Sequence, residues 1–155
     1  MRDPAPVTVH FRQDDQTLTG TLSVDERSAE DGSLHFDVRA TVQEQEYLGH
    51  GTDLAGALDD LRADLEESGI LIQVGGALRD AVVSRMSRQM GGGRKAYRVR
   101  LGHSARNDSM VDVLQPVSEA VSLAEQRAFT QRWEKSLGFA GRIASVFRPS
   151  GGSRR

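Results

Sequence analysis

An α+β fold is what this sequence predicts: an antiparallel sheet of five or six strands with two main helices packed on one face. Three observations carry that expectation. Apolar and polar residues alternate through most of the stretch from Val7 to Val42, four leucines then recur at helical spacing between Leu54 and Leu65, and a capping box at Ser122 opens a second amphipathic stretch. At 155 residues the chain suits one domain, and folding at this size hides ~70% of the surface the unfolded chain exposes. We expect that domain to cover residues 1–148, with a flexible tail over 149–155.

The first strand is expected over residues 7–11, where Val7, Val9 and Phe11 point one way and Thr8, His10 and Arg12 the other. After a polar loop, Leu18, Gly20, Leu22 and Val24 face Thr17, Thr19, Thr21 and Ser23 across a second strand with a threonine-rich outer side. Leu34, Phe36, Val38, Ala40 and Val42 give a third, and the three form a meander with one dry face. Gln43-Glu44-Gln45 either turns the chain into a short fourth strand through Tyr47 and Leu48 or belongs to one long bent strand.

Gly49-His50-Gly51 begins like a dinucleotide fingerprint, but Leu54 stands where the third glycine is required, so the motif fails. These glycines read instead as a tight connection, with Thr52 or Asp53 capping the next helix. Leu54, Leu58, Leu61 and Leu65 form its apolar stripe, while Asp59, Asp60, Asp64 and Glu67 make an acidic face. Gly69 stops it. Ile70-Leu71-Ile72-Gln73-Val74 is short and continuously apolar, as a central strand buried on both faces would be.

Leu78, Val82, Met86 and Met90 lie four residues apart, so the spacing predicts a helix over residues 77–90 with both methionines in the core. Asp80 in its first turn and Arg88 near its end suit the helix dipole, and Gly91 ends it. Beyond the three glycines, Tyr97, Val99 and Leu101 alternate with Arg98 and Arg100 in a strand with a basic outer row. An edge strand is expected over residues 111–114. The helix opened by Ser122 is expected to bury Ala128, Phe129, Trp133 and Leu137 and to stop at Gly138, and Phe139, Ile143 and Phe147 suggest a short basic helix after it.

The net charge of −2 hides a segregation along the chain. Residues 1–70 hold 16 acids and 5 bases, whereas residues 79–106 hold one acid, Asp80, against eight bases. Either the two blocks face each other in the fold or the surface carries two poles for a charged partner.

The chain has no cysteine, which removes disulfides, thiolate catalysis and cysteine-bound metal together and fits a reducing compartment. The first residues lack a signal-peptide stretch, and no apolar run approaches the ~20 residues that span a bilayer, so a cytoplasmic location is expected. The four histidines form no metal-ligand spacing, and no serine stands in a nucleophile elbow. No cofactor, metal or catalytic residue is expected. Gly91-Gly92-Gly93-Arg94-Lys95 invites a phosphate-loop reading, but a Walker A loop opens a helix, and here Ala96 opens a strand.

Met86 to Tyr97, with Val111-Asp112-Val113, Ala124-Glu125-Gln126-Arg127-Ala128-Phe129 and Trp133 beyond, resembles a group of small uncharacterised actinobacterial proteins found beside polymorphic toxin and secretion genes. The likeness spans roughly residues 50–137, with Met90-Gly91-Gly92-Gly93-Arg94-Lys95-Ala96-Tyr97 its most specific part. The chain departs from that group at Val83 and Arg85, where its members have a proline and a glycine. The resemblance implies an immunity or accessory protein and supplies no catalytic residues. The expected function is thus a non-enzymatic protein-binding module, with Arg85, Arg88, Arg94, Lys95, Arg98 and Arg100 on one contact surface and Asp59, Asp60, Asp64 and Glu67 on another. The alternative is a nucleic-acid or phosphate-ligand binder that uses the same six bases.

Overall fold

The computed structural model describes residues 5–138. The class is α+β, but the strands divide into two antiparallel sheets. Five strands, β1 (Val7–Gln13), β2 (Gln16–Ser28), β3 (Leu34–Val42), β4 (Gln45–Gly51) and β5 (Ile70–Ile72), lie in the order β4-β3-β2-β1-β5. Three shorter ones, β6 (Ala81–Val82), β7 (Lys95–Arg98) and β8 (Met110–Asp112), form the order β6-β7-β8.

The meander follows the alternation. Phe11 pairs with Leu18, Leu22 with Ala40, and Ala40 in turn with Tyr47, so one face carries a continuous apolar surface. Gln43 and Glu44 both adopt left-handed backbone conformations, with φ of 53° and 63°, which closes a tight hairpin and makes β4 a strand of its own. Helix α1 (Leu54–Glu67) lies across this dry face, with Leu54, Leu58, Leu61 and Leu65 buried as their spacing requires. Asp53 is its N-cap and accepts from the Gly56 N–H at 2.7 Å. The helix can come so close because β4 offers glycine beneath it: a Cβ on Gly49 would stand 2.2 Å from the Ala57 carbonyl oxygen.

Several expectations are corrected. Residues 70–74 do not form a central strand; β5 is an edge strand paired only with β1. Its apolarity has another source, since Ile70 and Ile72 are buried in the core and the chain beyond Gln73 leaves the sheet and bridges Pro116 through Val74, also buried. Residues 77–90 are not one helix. A 3₁₀ turn (Gly75–Ala77) ends at Leu78 in extended backbone, and Ala81 and Val82 pair with Arg98 and Tyr97. Val82 and Val83 are β-branched and resist helix, whereas Ser84 accepts from the Ser87 N–H at 3.0 Å and starts the short helix α2 (Arg85–Gly91) only there. Met86 and Met90 are therefore outside the core, 48% and 81% exposed. Leu101 is exposed as well, because β7 ends at Arg98.

Helix α3 (Leu123–Ser136) begins at the expected cap, Ser122, but does not cover the five-stranded sheet. Trp133, with Phe129 and Leu137 packed around it, meets Tyr97, Val99 and Ala105 in a second small core, while Gln126 is buried and Ala128 is exposed. The helix expected after Gly138 and the tail over 149–155 lie outside the described residues. No helix among the described residues is long and apolar enough to cross a membrane.

Candidate functional site

The glycine-rich turn after α2 fixes the site. Ser87 is the hub: its carbonyl accepts from the Gly93 N–H at 2.9 Å and also from the Gly92 N–H, and its hydroxyl donates to the Lys95 carbonyl at 3.0 Å. Gly92 and Gly93 both have left-handed φ, 69° and 68°, a pair of consecutive conformations that residues with a side chain strongly disfavour. The Gly92 carbonyl then accepts from the Leu54 N–H at 2.7 Å, and Gly93 packs against Asp53, where a Cβ would stand 2.6 Å from Oδ1. The turn is thus docked on the N-terminus of α1. The anion beside these glycines is the protein's own Asp53 carboxylate.

The two charge blocks meet here. Arg88 Nη1 donates to Asp53 Oδ1 at 2.9 Å; Arg94 pairs with Glu26 and lies over the Phe36 ring, 5.3 Å from its centroid. Lys95 sits 2.7 Å from Asp112, and Arg98 makes a two-pronged pair with Asp80 at 2.9 and 3.0 Å. Of the six bases singled out in the sequence, Arg85 and Arg100 alone make no ion pair among the described residues.

The acidic residues do not form one surface. Asp59 turns toward Arg62 at 3.6 Å, and burial pushes its carboxyl above the ordinary carboxylate range against the pull of Arg62, Arg88 and Arg127. Asp60 accepts from the His50 N–H at 2.9 Å and so occupies a donor of β4. Asp64 and Glu67 are exposed and make no ion pair among the described residues.

What the sequence did not point to is apolar. Met90 and Leu34 line an open groove of about 540 Å³ between α2 and the end of the β2–β3 hairpin, whose other walls include Asp53, Arg88, Gly92 and Arg94. Leu34 is 36% exposed, and no residue of α2 is buried. The signal for this arrangement was Ser84, a stronger helix start than anything before Val82. Arg62 was also legible: it sits between Leu58 and Leu65 on the apolar stripe and is only 1% exposed. Its guanidinium donates to Gln126 Oε1 at 2.7 Å and to the Val121 carbonyl at 2.9 Å, tying α1 to the segment that carries α3.

Elsewhere His35 stacks on His50 with ring centroids 5.5 Å apart, and His50 Nδ1 lies 2.7 Å from Asp37 Oδ1. Among the described residues no three His, Asp or Glu side chains gather in a way that could hold a metal ion. The chain matches no protein-family model and no curated protein.

Proposed function

We propose that the chain is a non-enzymatic protein-binding module of the cytoplasm that presents the outer face of α2 to a protein partner. One observation carries the reading. A helix with no buried residue, too short to persist alone, is held at its N-cap by Ser84 and at its end by the Gly92–Leu54 bond, yet it exposes Met86 and Met90. Single exposed apolar residues are ordinary, but here Met90 shares a groove with Leu34. Methionine is polarizable and unbranched, which suits it to contact with another protein's apolar side chains.

Arg85, Arg88 and Arg94 surround that groove or flank it, and Arg85 keeps its charge uncompensated by any described acid. Arg88 and Arg94 are already paired with Asp53 and Glu26, so the partner surface combines an apolar contact with an acid placed opposite Arg85, in which charge steers docking and apolar burial holds it. The resemblance to proteins encoded beside toxin and secretion genes makes a toxin or secretion component the partner class we favour, with this chain as an immunity or accessory protein. The alternative, nucleic-acid binding along residues 85–100, is weakened because Arg88, Arg94, Lys95 and Arg98 each face a carboxylate.

The test is affinity capture from the native cells with the full chain and with Met90→Glu and Met86→Glu. A stoichiometric protein recovered by the wild type and lost by both variants, at unchanged circular dichroism, is the expected result. Recovery of no such protein, or equal recovery by the variants, refutes the reading.

A further inference from the structure

The connection from β7 to β8 has a fixed shape of its own. Trp133 Nε1 donates to the His103 carbonyl at 2.7 Å, the Gly102 N–H donates to Ser136 Oγ at 2.7 Å, and the Tyr97 hydroxyl donates to Asn107 Oδ1 at 3.2 Å. Ala105 is buried in the core beside Trp133. A long connection held in one shape by the scaffold is a frequent carrier of function.

On this connection a cleft of about 480 Å³ brings Arg98, Arg100, His103 and Arg106 together with only two acids, Asp80 and Asp108. Both acids are taken. Arg98 holds Asp80 through two bonds, and Arg106 holds Asp108 through two more, at 3.2 and 3.3 Å. Such forked pairs fix the planes of the two guanidiniums without using all their donors, since each has five. Arg100 has no carboxylate partner among the described residues, which leaves the cleft one positive charge in excess before the His103 ring is counted. Ser104 and Ser109 line it too, the Ser109 hydroxyl donating to Asp108 Oδ1 at 3.4 Å, and Met110 gives it an apolar side.

We propose that this cleft binds a small phosphate monoester. Arg100 brings an uncommitted guanidinium, Arg98 and Arg106 keep donors beyond those given to Asp80 and Asp108, and Ser104 adds a hydroxyl, together more than the two oxygens of a carboxylate can use, whereas a phosphate has three terminal oxygens to accept them. The volume falls in the range of small-molecule sites, and the organic part of the ester lies against Met110, which is 39% exposed. None of the cleft's lining residues belongs to the α2 groove, so this site stands or falls separately from the docking surface.

The experiment is a titration of the isotopically labelled full chain with adenosine monophosphate at low salt, followed by amide chemical shifts. Saturable shifts confined to residues 98–110 are expected, with affinity at least roughly ten-fold weaker in Arg100→Gln, the loss of a charge-assisted bond. Arg100 is exposed and makes no ion pair among the described residues, so that variant keeps its fold, and its own spectrum shows it. Arg12→Gln, on the outer face of β1, leaves affinity unchanged. Absence of saturation at millimolar nucleotide, equal binding by Arg100→Gln, or an equal loss in Arg12→Gln overturns the site. Inorganic phosphate binding as tightly as the nucleotide overturns the assignment of an ester.

Discussion

Replacing Arg62 by alanine will destabilise the protein by about 3–5 kcal/mol, the cost of breaking a buried ion pair by removing one partner. The contacts account for it. Gln126 Oε1 and the Val121 carbonyl lose donors at 2.7 and 2.9 Å, and each acceptor left bare costs about 1–3 kcal/mol. The Gly76 carbonyl fares better because Gln126 Nε2 also donates to it at 2.8 Å. Asp59 and Glu66, 3.6 and 3.5 Å from the guanidinium, lose their counter-charge, and the Glu66 side chain is only 17% exposed. Against a total stability of about 5–15 kcal/mol this is a large fraction. In urea, with a slope of about 2 kcal/mol per molar, the midpoint falls by roughly 1.5–2.5 M. Glu66→Gln supplies the discriminating arm: it destabilises the wild type by removing an anion from beside a buried cation, and it relieves the Arg62→Ala variant by neutralising an anion left alone. A loss below about 1 kcal/mol for Arg62→Ala, or the same sign for Glu66→Gln in both backgrounds, refutes the reasoning.

Two further outcomes follow from geometry. Gly49→Ala places a methyl 2.2 Å from the Ala57 carbonyl and 2.5 Å from the Leu61 nitrogen, so α1 must lift from β4; a loss of about 1–3 kcal/mol or more is expected in the same urea assay, and a neutral effect would contradict that close approach. Asp37 is held below the ordinary carboxylate range first by the hydrogen bond with His50 and then by Arg27. Its contribution is therefore present above the unfolded value of about 3.9 and is lost as pH falls through the lower folded value. The stability gap between wild type and Asp37→Asn should narrow on acidification through that range, and a gap that widens there contradicts the assignment.

The meander and α1 were legible because local pattern and tertiary burial agree there: alternation names the dry face, and the leucine stripe that covers it has the matching period. Residues 77–90 misled for a definite reason. Leu78, Val82, Met86 and Met90 keep helical spacing, but spacing states only which residues could share a face. Whether a helix forms over the whole run was decided by Val82 and Val83, which suit the pairing with β7, and by Ser84, which offers the backbone a better starting point. The α2 groove was unreadable on the same ground, since a methionine placed in a core by periodicity cannot also be counted as surface. The second small core was hidden because Trp133 and Ala105 are brought together only by the fold.

The charge blocks show how composition can mislead about partners. An acidic first half and a basic middle suggest opposite poles, yet long-range pairs such as Arg94 with Glu26 and Arg88 with Asp53 join the blocks in space, while Arg98 with Asp80 and Lys95 with Asp112 neutralise the basic row nearer home. The Arg94–Glu26 and Lys95–Asp112 pairs are about half-exposed and contribute little stability individually, while Asp53 in the Arg88 pair is mostly buried. Their effect is selective: by engaging four of the six bases, they leave Arg85 beside the exposed methionines and Arg100 in the β7–β8 cleft without a carboxylate among the described residues. Function is therefore better sought at those two positions than along the whole basic row. The two proposals rest on different chemistries, an acid of a protein surface meeting Arg85 and a phosphate meeting Arg100.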